Sequence, residues 1–265
     1  MKPTGQLVRI ADLSLAQRDE MFALMSAYYE HVRRPTFDAD LAEKEWAIVI
    51  LDESTDRILG FSTQMLMCAE VEGRPVLSLF SGDTIIDRDA RRQRSLFEVS
   101  GWFVRSLIEA HPDEELYWFL ISKGYKTYHF LPLFFHEYYP RHDAPTPPRF
   151  KAVIDALAER KFGDAYDRVA GVVRADASSC RLRPGVADIA ERMNDPHVRY
   201  FAERNPGHER GDELCCIAPL TLSNFTRAAY RAMGPSPGVK YSEPLGSRGS
   251  IPGVRSTSPL GLHGK

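Results

Sequence analysis

The stretch from Ser81 to Val99, SGDTIIDRDARRQRSLFEV, carries the side chains of this sequence that are best suited to binding an anion. An apolar, β-branched run predicts a strand that ends near Ile86, and Ser95 can cap the helix predicted after it. Four arginines lie between the two elements: Arg88, Arg91, Arg92 and Arg94. Because a helix N-terminus has unpaired N–H groups and the positive end of the helix dipole, it attracts phosphate. The stretch therefore predicts an anion site. The alternative is a surface turn whose arginines pair with Asp87 and Asp89.

Other histidines and cysteines do not have the spacing of a metal site. His136 and Glu137 begin an H-E-x-x-H pattern, but position 140 is proline. No common zinc spacing is present among His197, His208, Cys215 and Cys216. We therefore predict no bound metal.

Hydrophobic periodicity predicts the elements that must position these side chains. In chain order they are a strand at 7–10, helices at 14–29 and 38–45, an antiparallel meander at 46–51, 58–69 and 76–86, a helix beginning at 95, and a buried strand at 116–121. An aromatic segment, Tyr125–Tyr139, follows, and Pro132 within it predicts a helix that is kinked or starts late. Later patterns predict helices at 151–161, 186–193, 197–204 and 224–233, and strands at 169–174 and 213–220.

Composition and charge are those of an ordinary globular chain. The 265 residues are 43% hydrophobic and 26% charged with a net charge of −2, which gives no overall attraction to nucleic acid or to an anionic membrane. No apolar run approaches the ~20 residues that span a bilayer, and the N-terminus lacks the apolar region of a signal peptide. Four cysteines without a C-x-x-C pair predict reduced thiols and a cytoplasmic protein.

The order of elements over residues 5–140 resembles that of the GNAT superfamily of acyl-CoA-dependent N-acyltransferases. The resemblance implies an α/β fold with a central mixed, mainly antiparallel sheet flanked by helices. It also implies that the loop between the fourth strand and the third helix binds the pyrophosphate of CoA. Ile86 fits the apolar strand end of that motif and Arg91 fits its arginine. Arg94 and Leu96 stand where the family has small residues.

The resemblance assigns CoA binding to one continuous set of positions: Ile85, Ile86, Arg91, Arg92, Gln93, Arg94 and Ser95. In the family, glycines in this loop let the backbone approach the phosphates closely. Here arginine side chains could supply those contacts instead. The same arginines would also suit the phosphopantetheine of a carrier protein.

In the family the fourth and fifth strands splay, and the pantetheine arm lies in the V between them. Here these strands would be Leu79–Ile86 and Leu116–Ser122. Because glycine inside a strand often marks a bulge, Gly82 predicts one. Asp83 would then lie near the reacting centre, where a carboxylate can accept the proton of an amine, directly or through water. The alternative is a polar residue at a strand edge or in a turn.

Many family members protonate the leaving thiolate with a tyrosine on the fourth helix. By alignment that position falls at Phe134 or Phe135, which cannot donate a proton. Tyr138 and Tyr139 lie one turn further on and are the predicted catalytic acids. His136 is a further candidate acid or base, placed with the substrate contacts. The alternative is an aromatic core segment without a catalytic role.

If the two late strands are the last two of the family, residues 175–212 are an insertion between them. In the family this connection lies beside the acceptor, so the insertion would shape the acceptor pocket. An Asn-Pro-Gly turn would display His208, and His208 and Asp212 are the predicted contacts. The alternative is a solvated connector.

We therefore predict one GNAT-like domain over residues 1–233, with a helical linker and insertion at 140–212 and a disordered tail at 234–265. Its function would be to transfer an acyl group by direct attack, from acetyl-CoA, another acyl-CoA or an acyl-carrier protein to the amine of a small molecule, without a permanently bound cofactor. Two alternatives stay open. One is a degenerate relative that binds a ligand without transfer, and the other is an unrelated α/β enzyme whose arginines bind an anionic substrate.

Overall fold

The computed structural model describes residues 3–90, 95–186 and 189–234. Its strands are β1 (Pro3–Arg9), β2 (Tyr29–Glu30), β3 (Trp46–Asp52), β4 (Ile58–Val71), β5 (Arg74–Ile86), β6 (Leu116–Ser122), β7 (Tyr166–Asp167), β8 (Val172–Val173), β9 (Arg181–Leu182) and β10 (Glu213–Pro219). Its helices are α1 (Leu15–Tyr28), α2 (Arg34–Ala42), α3 (Ser95–Ala110), α4 (Tyr125–Tyr128), α5 (Phe130–Phe134), α6 (Pro148–Phe162), α7 (Pro196–Arg204) and α8 (Arg227–Met233).

Within the described residues, eight strands form one sheet in the order β1-β3-β4-β5-β6-β10-β8-β7. Neighbours pair antiparallel except β5 and β6, which are parallel. The predicted mixed, mainly antiparallel sheet is thereby confirmed. β8 and β10 are adjacent, and the chain between them includes β9, which pairs with β2 outside the main sheet.

Alternating side chains of the strands build a core on each face of the sheet. In β5, Leu77 and Leu79 pack with α3, α4, α5, α7 and α8. Val76 and Phe80, which point the other way, pack with α6. The neighbouring part of that second face is covered by α1 and α2. The sheet therefore has an α3 face and an α2/α6 face, and a gap between strands would connect them.

Local signals placed several elements correctly. Ser14 and Gln17 form the predicted capping box at the start of α1, with the Gln17 backbone N–H 3.2 Å from Ser14 Oγ and the Ser14 N–H 3.0 Å from Gln17 Oε1. The turns of the meander contain positive φ angles at Asp56, Glu72 and Gly73, as tight hairpin turns require.

Three expectations differ from the structure. The aromatic segment after β6 is helical only to Phe134, and beyond it Phe135 bridges to Phe225 and Tyr139 to Ile217 as extended chain. The predicted strand at 169–174 is reduced to β8, and the helix predicted at 186–193 is a 3₁₀ turn at Ala190–Arg192 in its described part. Residues 235–265, most of the predicted tail, lie outside the described residues. Among those that are described, no helix is both long and apolar enough to cross a bilayer.

Candidate functional site

β5 and β6 separate at one point along their length. Their parallel pairing ends at Ser81 and Leu120. At the same level the register between β5 and β4 shifts, so that Gly82 and Asp83 together stand opposite the single residue Thr63. The predicted bulge at Gly82 is confirmed. Because β5 bends there and its pairing with β6 ends, the two strands form the arms of a V.

Glycine is needed at this bulge because of its neighbours. A Cβ atom at position 82 would lie 2.6 Å from Thr63 Oγ1 and 2.9 Å from Lys44 Cε. Both distances are shorter than the closest approach that Cβ atoms make to other heavy atoms in proteins. Gly82 therefore allows β4 and the residues after α2 to close tightly around the base of the V.

A cavity of about 720 Å³ passes through the V. On the α2/α6 face its walls include Asp40, Lys44 and Phe80, and on the α3 face they include Phe97 and Phe130. The cavity is therefore open to groups arriving from both faces of the sheet. We call it the main cavity.

Five polar side chains meet in the main cavity: Tyr29, Asp83, Lys123, Cys180 and Glu213. Lys123 follows the last residue of β6, and its Nζ atom lies 3.1 Å from Glu213 Oε1 and 3.3 Å from Cys180 Sγ. The same Nζ atom lies 5.7 Å from the ring centre of Tyr29. Asp83 stands on the other arm of the V. We call these five residues the polar cluster.

Burial and neighbouring charges shift the pKa values of Asp83 and Lys123. Burial, together with the carboxylates of Asp40 and Glu213, raises the pKa of Asp83 to about 6, while Lys123 and Lys44 oppose this shift. Burial alone would lower the pKa of Lys123, but the neighbouring acidic groups, led by Glu213, outweigh it and raise that pKa. At neutral pH, Asp83 is therefore an ionised carboxylate with raised basicity, and Lys123 remains an ammonium.

A second ion pair borders the cluster on the α2/α6 face. Lys44 Nζ lies 2.7 Å from Asp40 Oδ1, and the Lys44 side chain is only 1% exposed. The same Nζ lies 5.8 Å from the ring centre of Phe80, and Lys161 Nζ lies 5.7 Å from that ring. A bound molecule on this face would thus meet an aromatic ring flanked by two ammonium groups.

The segment between β8 and β10 closes one side of the main cavity. β9 pairs with β2, and Arg181 forms an ion pair with Glu30 at 2.7 Å. This pairing holds Cys180 and Leu182 in the cavity wall. The segment between β8 and β10 thus lines the main cavity through these residues.

The structure describes three of the seven residues predicted for CoA binding. Ile85 and Ile86 line the main cavity, and Ser95 is the first residue of α3. Arg91, Arg92, Gln93 and Arg94 lie outside the described residues. Arg88 is described, and its backbone N–H donates to the Tyr28 hydroxyl at 2.8 Å.

The residues predicted as proton donors and acceptor contacts lie away from the cavity walls. Tyr138 is 2% exposed and its hydroxyl lies 3.3 Å from His197 Nδ1. Tyr139 packs on the opposite face of the sheet, with its hydroxyl 3.4 Å from Glu137 Oε1.

His136 is exposed, and His208 is held by the Asn205 carbonyl at 2.9 Å. Asp212 is buried and pairs with Arg174 at 2.8 Å. None of these three side chains lines the main cavity.

Sequence reasoning did not identify four members of the polar cluster: Tyr29, Lys123, Cys180 and Glu213. A signal was present for two of them. Lys123 directly follows a buried apolar strand, and Glu213 is the first residue of another. Charged residues at the adjacent ends of neighbouring strands lie close together. The sequence alone does not reveal that β6 and β10 are neighbours.

The strand order, the parallel β5–β6 pair and the bulge give the chain a GNAT-like fold. Comparison with known proteins gave no match to any protein-family model and none to a curated protein sequence. About half of the chain is similar to solved structures of several acyltransferases. A conserved protein of unknown function from Enterococcus faecalis V583, described as a probable N-acyltransferase, has a TM-score of 0.39 and 10% identity, over 52% of this chain and 33% of that one.

A GNAT family N-acetyltransferase from Escherichia coli in complex with CoA has a TM-score of 0.35 and 13% identity, over 49% of this chain and 69% of that one. Glucosamine-6-phosphate N-acetyltransferase from Arabidopsis thaliana has a TM-score of 0.35 and 14% identity, over 48% of this chain and 89% of that one. The chain thus spans 33% of the length of the first of these three proteins. At these values no statement about activity or substrate follows from the similarity.

Proposed function

We propose that the protein is an acyltransferase that moves an acyl group from a CoA thioester to an amine at the V between β5 and β6. The observation that supports this most is Asp83, a carboxylate at the bulge whose pKa is raised to about 6. A base with a pKa near the working pH combines the correct protonation state with useful proton affinity.

The geometry suggests how the reaction would proceed. The thioester would lie along β5 on the α3 face, where the backbone beyond Ser81 is no longer paired with β6. Its carbonyl oxygen would accept hydrogen bonds from that backbone. The amine would enter from the α2/α6 face and transfer a proton to Asp83. Its nitrogen lone pair would then form the new C–N bond.

Collapse of the resulting tetrahedral intermediate breaks the C–S bond and leaves a thiolate. The Lys123 ammonium, on the other arm of the V, would stabilise this charge. The proton that the nitrogen loses on becoming an amide would pass to the thiolate, which leaves as the free thiol, and Asp83 would release to water the proton that it took from the ammonium. Glu213 holds Lys123 in place. The products are an amide and CoA, and no covalent enzyme intermediate is required.

The test is release of free CoA from acetyl-CoA in the presence of a panel of small amines. We expect Asp83→Asn to lower turnover by about 10²- to 10⁴-fold, the usual contribution of a general base. Asp113→Asn, an exposed carboxylate in the turn before β6, is the matched control and should leave turnover unchanged. Full activity of Asp83→Asn with any acceptor would exclude the proposed role of Asp83.

Binding of CoA is tested separately from turnover. A ligand that binds only the folded protein raises the thermal midpoint with concentration. We expect CoA to raise it, and the double variant Arg91→Ala/Arg94→Ala to lose that shift. A shift without turnover for any acceptor would identify a binding protein instead. No shift at millimolar CoA would exclude CoA as the donor.

A further inference from the structure

A second, smaller cavity lies on the α3 face of the sheet. Its volume is about 110 Å³, and it is lined by residues of β4, β5, β6, α3, α5 and α8. Most of its wall is apolar and includes Phe103, Phe135, Phe225 and Met233. Residues of α8 and of the segment before it form the wall farthest from the main cavity. We call this smaller cavity the apolar pocket.

The apolar pocket meets the main cavity at the base of the V. Five residues line both spaces: Gly82, Thr84, Phe97, Thr127 and Phe130. Gly82 is the bulge residue beside Asp83. A molecule whose reacting carbon lies next to Asp83 can therefore extend an apolar substituent directly into the pocket.

The polar groups on the floor of the pocket bond to one another. Trp118 Nε1 donates to Ser81 Oγ at 2.8 Å, and Ser81 Oγ donates to Gln64 Oε1 at 2.7 Å. Gln64 Nε2 in turn donates to Ser62 Oγ at 2.8 Å. Since these polar groups are hydrogen-bonded to one another, the floor leaves few unpaired groups for water or for a polar ligand. Apolar spaces of this kind stay dry and take apolar guests.

We propose that the apolar pocket binds the acyl chain of the donor, so that the preferred donor is a thioester of a short-to-medium fatty acid rather than acetyl-CoA. This inference rests on the proposed acyl transfer at the V. An apolar cavity of about 150 Å³ accommodates a six-carbon ring. By that measure the 110 Å³ of the pocket accommodates a chain of about four carbons beyond the thioester carbonyl.

The wall of the pocket offers a matched pair of variants on α8. Ala229 is 1% exposed and lines the pocket, so a leucine there would fill it. Ala228, the preceding residue of the same helix, does not line the pocket. Ala229→Leu and Ala228→Leu therefore make the same chemical change with and without loss of the space.

The experiment measures the affinities of CoA, acetyl-CoA, butyryl-CoA and hexanoyl-CoA by calorimetry. For the wild-type chain we expect affinity to rise by about fourfold per methylene from acetyl-CoA to butyryl-CoA, the gain expected from burying each one. The rise should level off before hexanoyl-CoA, whose chain has five carbons beyond the carbonyl and exceeds the space. Ala229→Leu should lose this gain and bind CoA itself as the wild type does. Ala228→Leu should keep the full series.

Three results would overturn the inference. Equal affinity for all four compounds in the wild-type chain would do so even if Ala229→Leu failed to fold, and it would leave the proposed acyl transfer intact. An equal loss of affinity for CoA and for hexanoyl-CoA in Ala229→Leu would show that the pocket holds the pantetheine arm. Binding of none of the compounds would remove the proposed function together with this inference.

Discussion

The Nζ atom of Lys123 lies 3.1 Å from a carboxylate oxygen of Glu213, and this ion pair faces Asp83 across the V. The strands that carry the pair are hydrogen-bonded neighbours, with Leu214 opposite Ser122, so the sheet itself holds the two charges together. Both side chains are mostly buried. Removing one partner would leave the other charge uncompensated. The pair therefore sets the electrostatic field in which Asp83 titrates.

Activity should rise with pH through the pKa of Asp83, about 6, because only the carboxylate can accept a proton. Glu213 raises this pKa and Lys123 lowers it. Glu213→Gln should therefore move the acidic limb of the pH profile of kcat/KM to lower pH, and Lys123→Met should move it to higher pH. Shifts of the two variants in the same direction would contradict the assignment of this limb to Asp83.

Asp83→Asn should stabilise the fold at high pH while it lowers activity. A carboxyl group whose pKa is raised on folding contributes stability below its unfolded pKa and loses that contribution as pH rises through its folded pKa. Asparagine cannot ionise, so the variant avoids this loss. We expect its free energy of unfolding to exceed that of the wild type by about 3 kcal/mol at pH 8, the value of a shift of about two pKa units. Denaturant unfolding at pH 4 and pH 8 measures this, and an equal difference at both pH values would refute it.

Gly82→Ala should destabilise the chain by about 1–3 kcal/mol, the usual cost of forcing an extra carbon into a packed site. The new Cβ would lie 2.6 Å from Thr63 Oγ1. Adding Thr63→Ala removes that contact. We therefore expect the double variant to be less destabilised than the sum of the two single variants, as measured by chemical denaturation. Strict additivity would show that the new Cβ atom does not clash with Thr63.

Cys180→Ala should retain most of the turnover, although Cys180 lies in the polar cluster. Burial raises the pKa of this thiol against the opposing effect of Lys123, which disfavours the reactive thiolate. Intact-mass measurement after incubation with the thioester alone should show no acylated protein. Cys68→Ala, a half-buried thiol outside the main cavity, is the control. An acyl group trapped on Cys180 would replace direct attack by a two-step transfer.

Tyr138→Phe and Tyr139→Phe should each keep the pH dependence and most of the turnover of the wild type. Neither side chain lines the main cavity or the apolar pocket, so neither hydroxyl is placed to protonate a leaving thiolate there. The loss of a buried hydroxyl should affect stability alone. A selective fall in kcat with unchanged stability would restore the role that the sequence predicts for these tyrosines.

Local patterns in the sequence determined the features of the fold that depend on near neighbours. An interior glycine predicted the bulge at Gly82, and polar spacing predicted the capping box at Ser14. The fully apolar run in β6 predicted a strand covered on both faces. In the structure β6 lies between β5 and β10, and its side chains pack into the cores on both faces of the sheet. The sequence did not show where the helix of the aromatic segment ends. The helix ends at Phe134, and in the extended chain beyond it Tyr138 and Tyr139 point to opposite faces of the sheet.

A catalytic role for Asp83 could be predicted from its own strand, because a glycine precedes it and because it interrupts an apolar run. Its partners could not be predicted in that way, because they come from β2, the end of β6, the segment before β9 and the start of β10. Hydrophobic periodicity decides which face of a strand is buried, but not which distant strand will lie beside it. Only the pairing of β6 with β10 and of β2 with β9 brings these side chains together, and burial and neighbouring charges then raise the pKa values of Asp83 and Lys123.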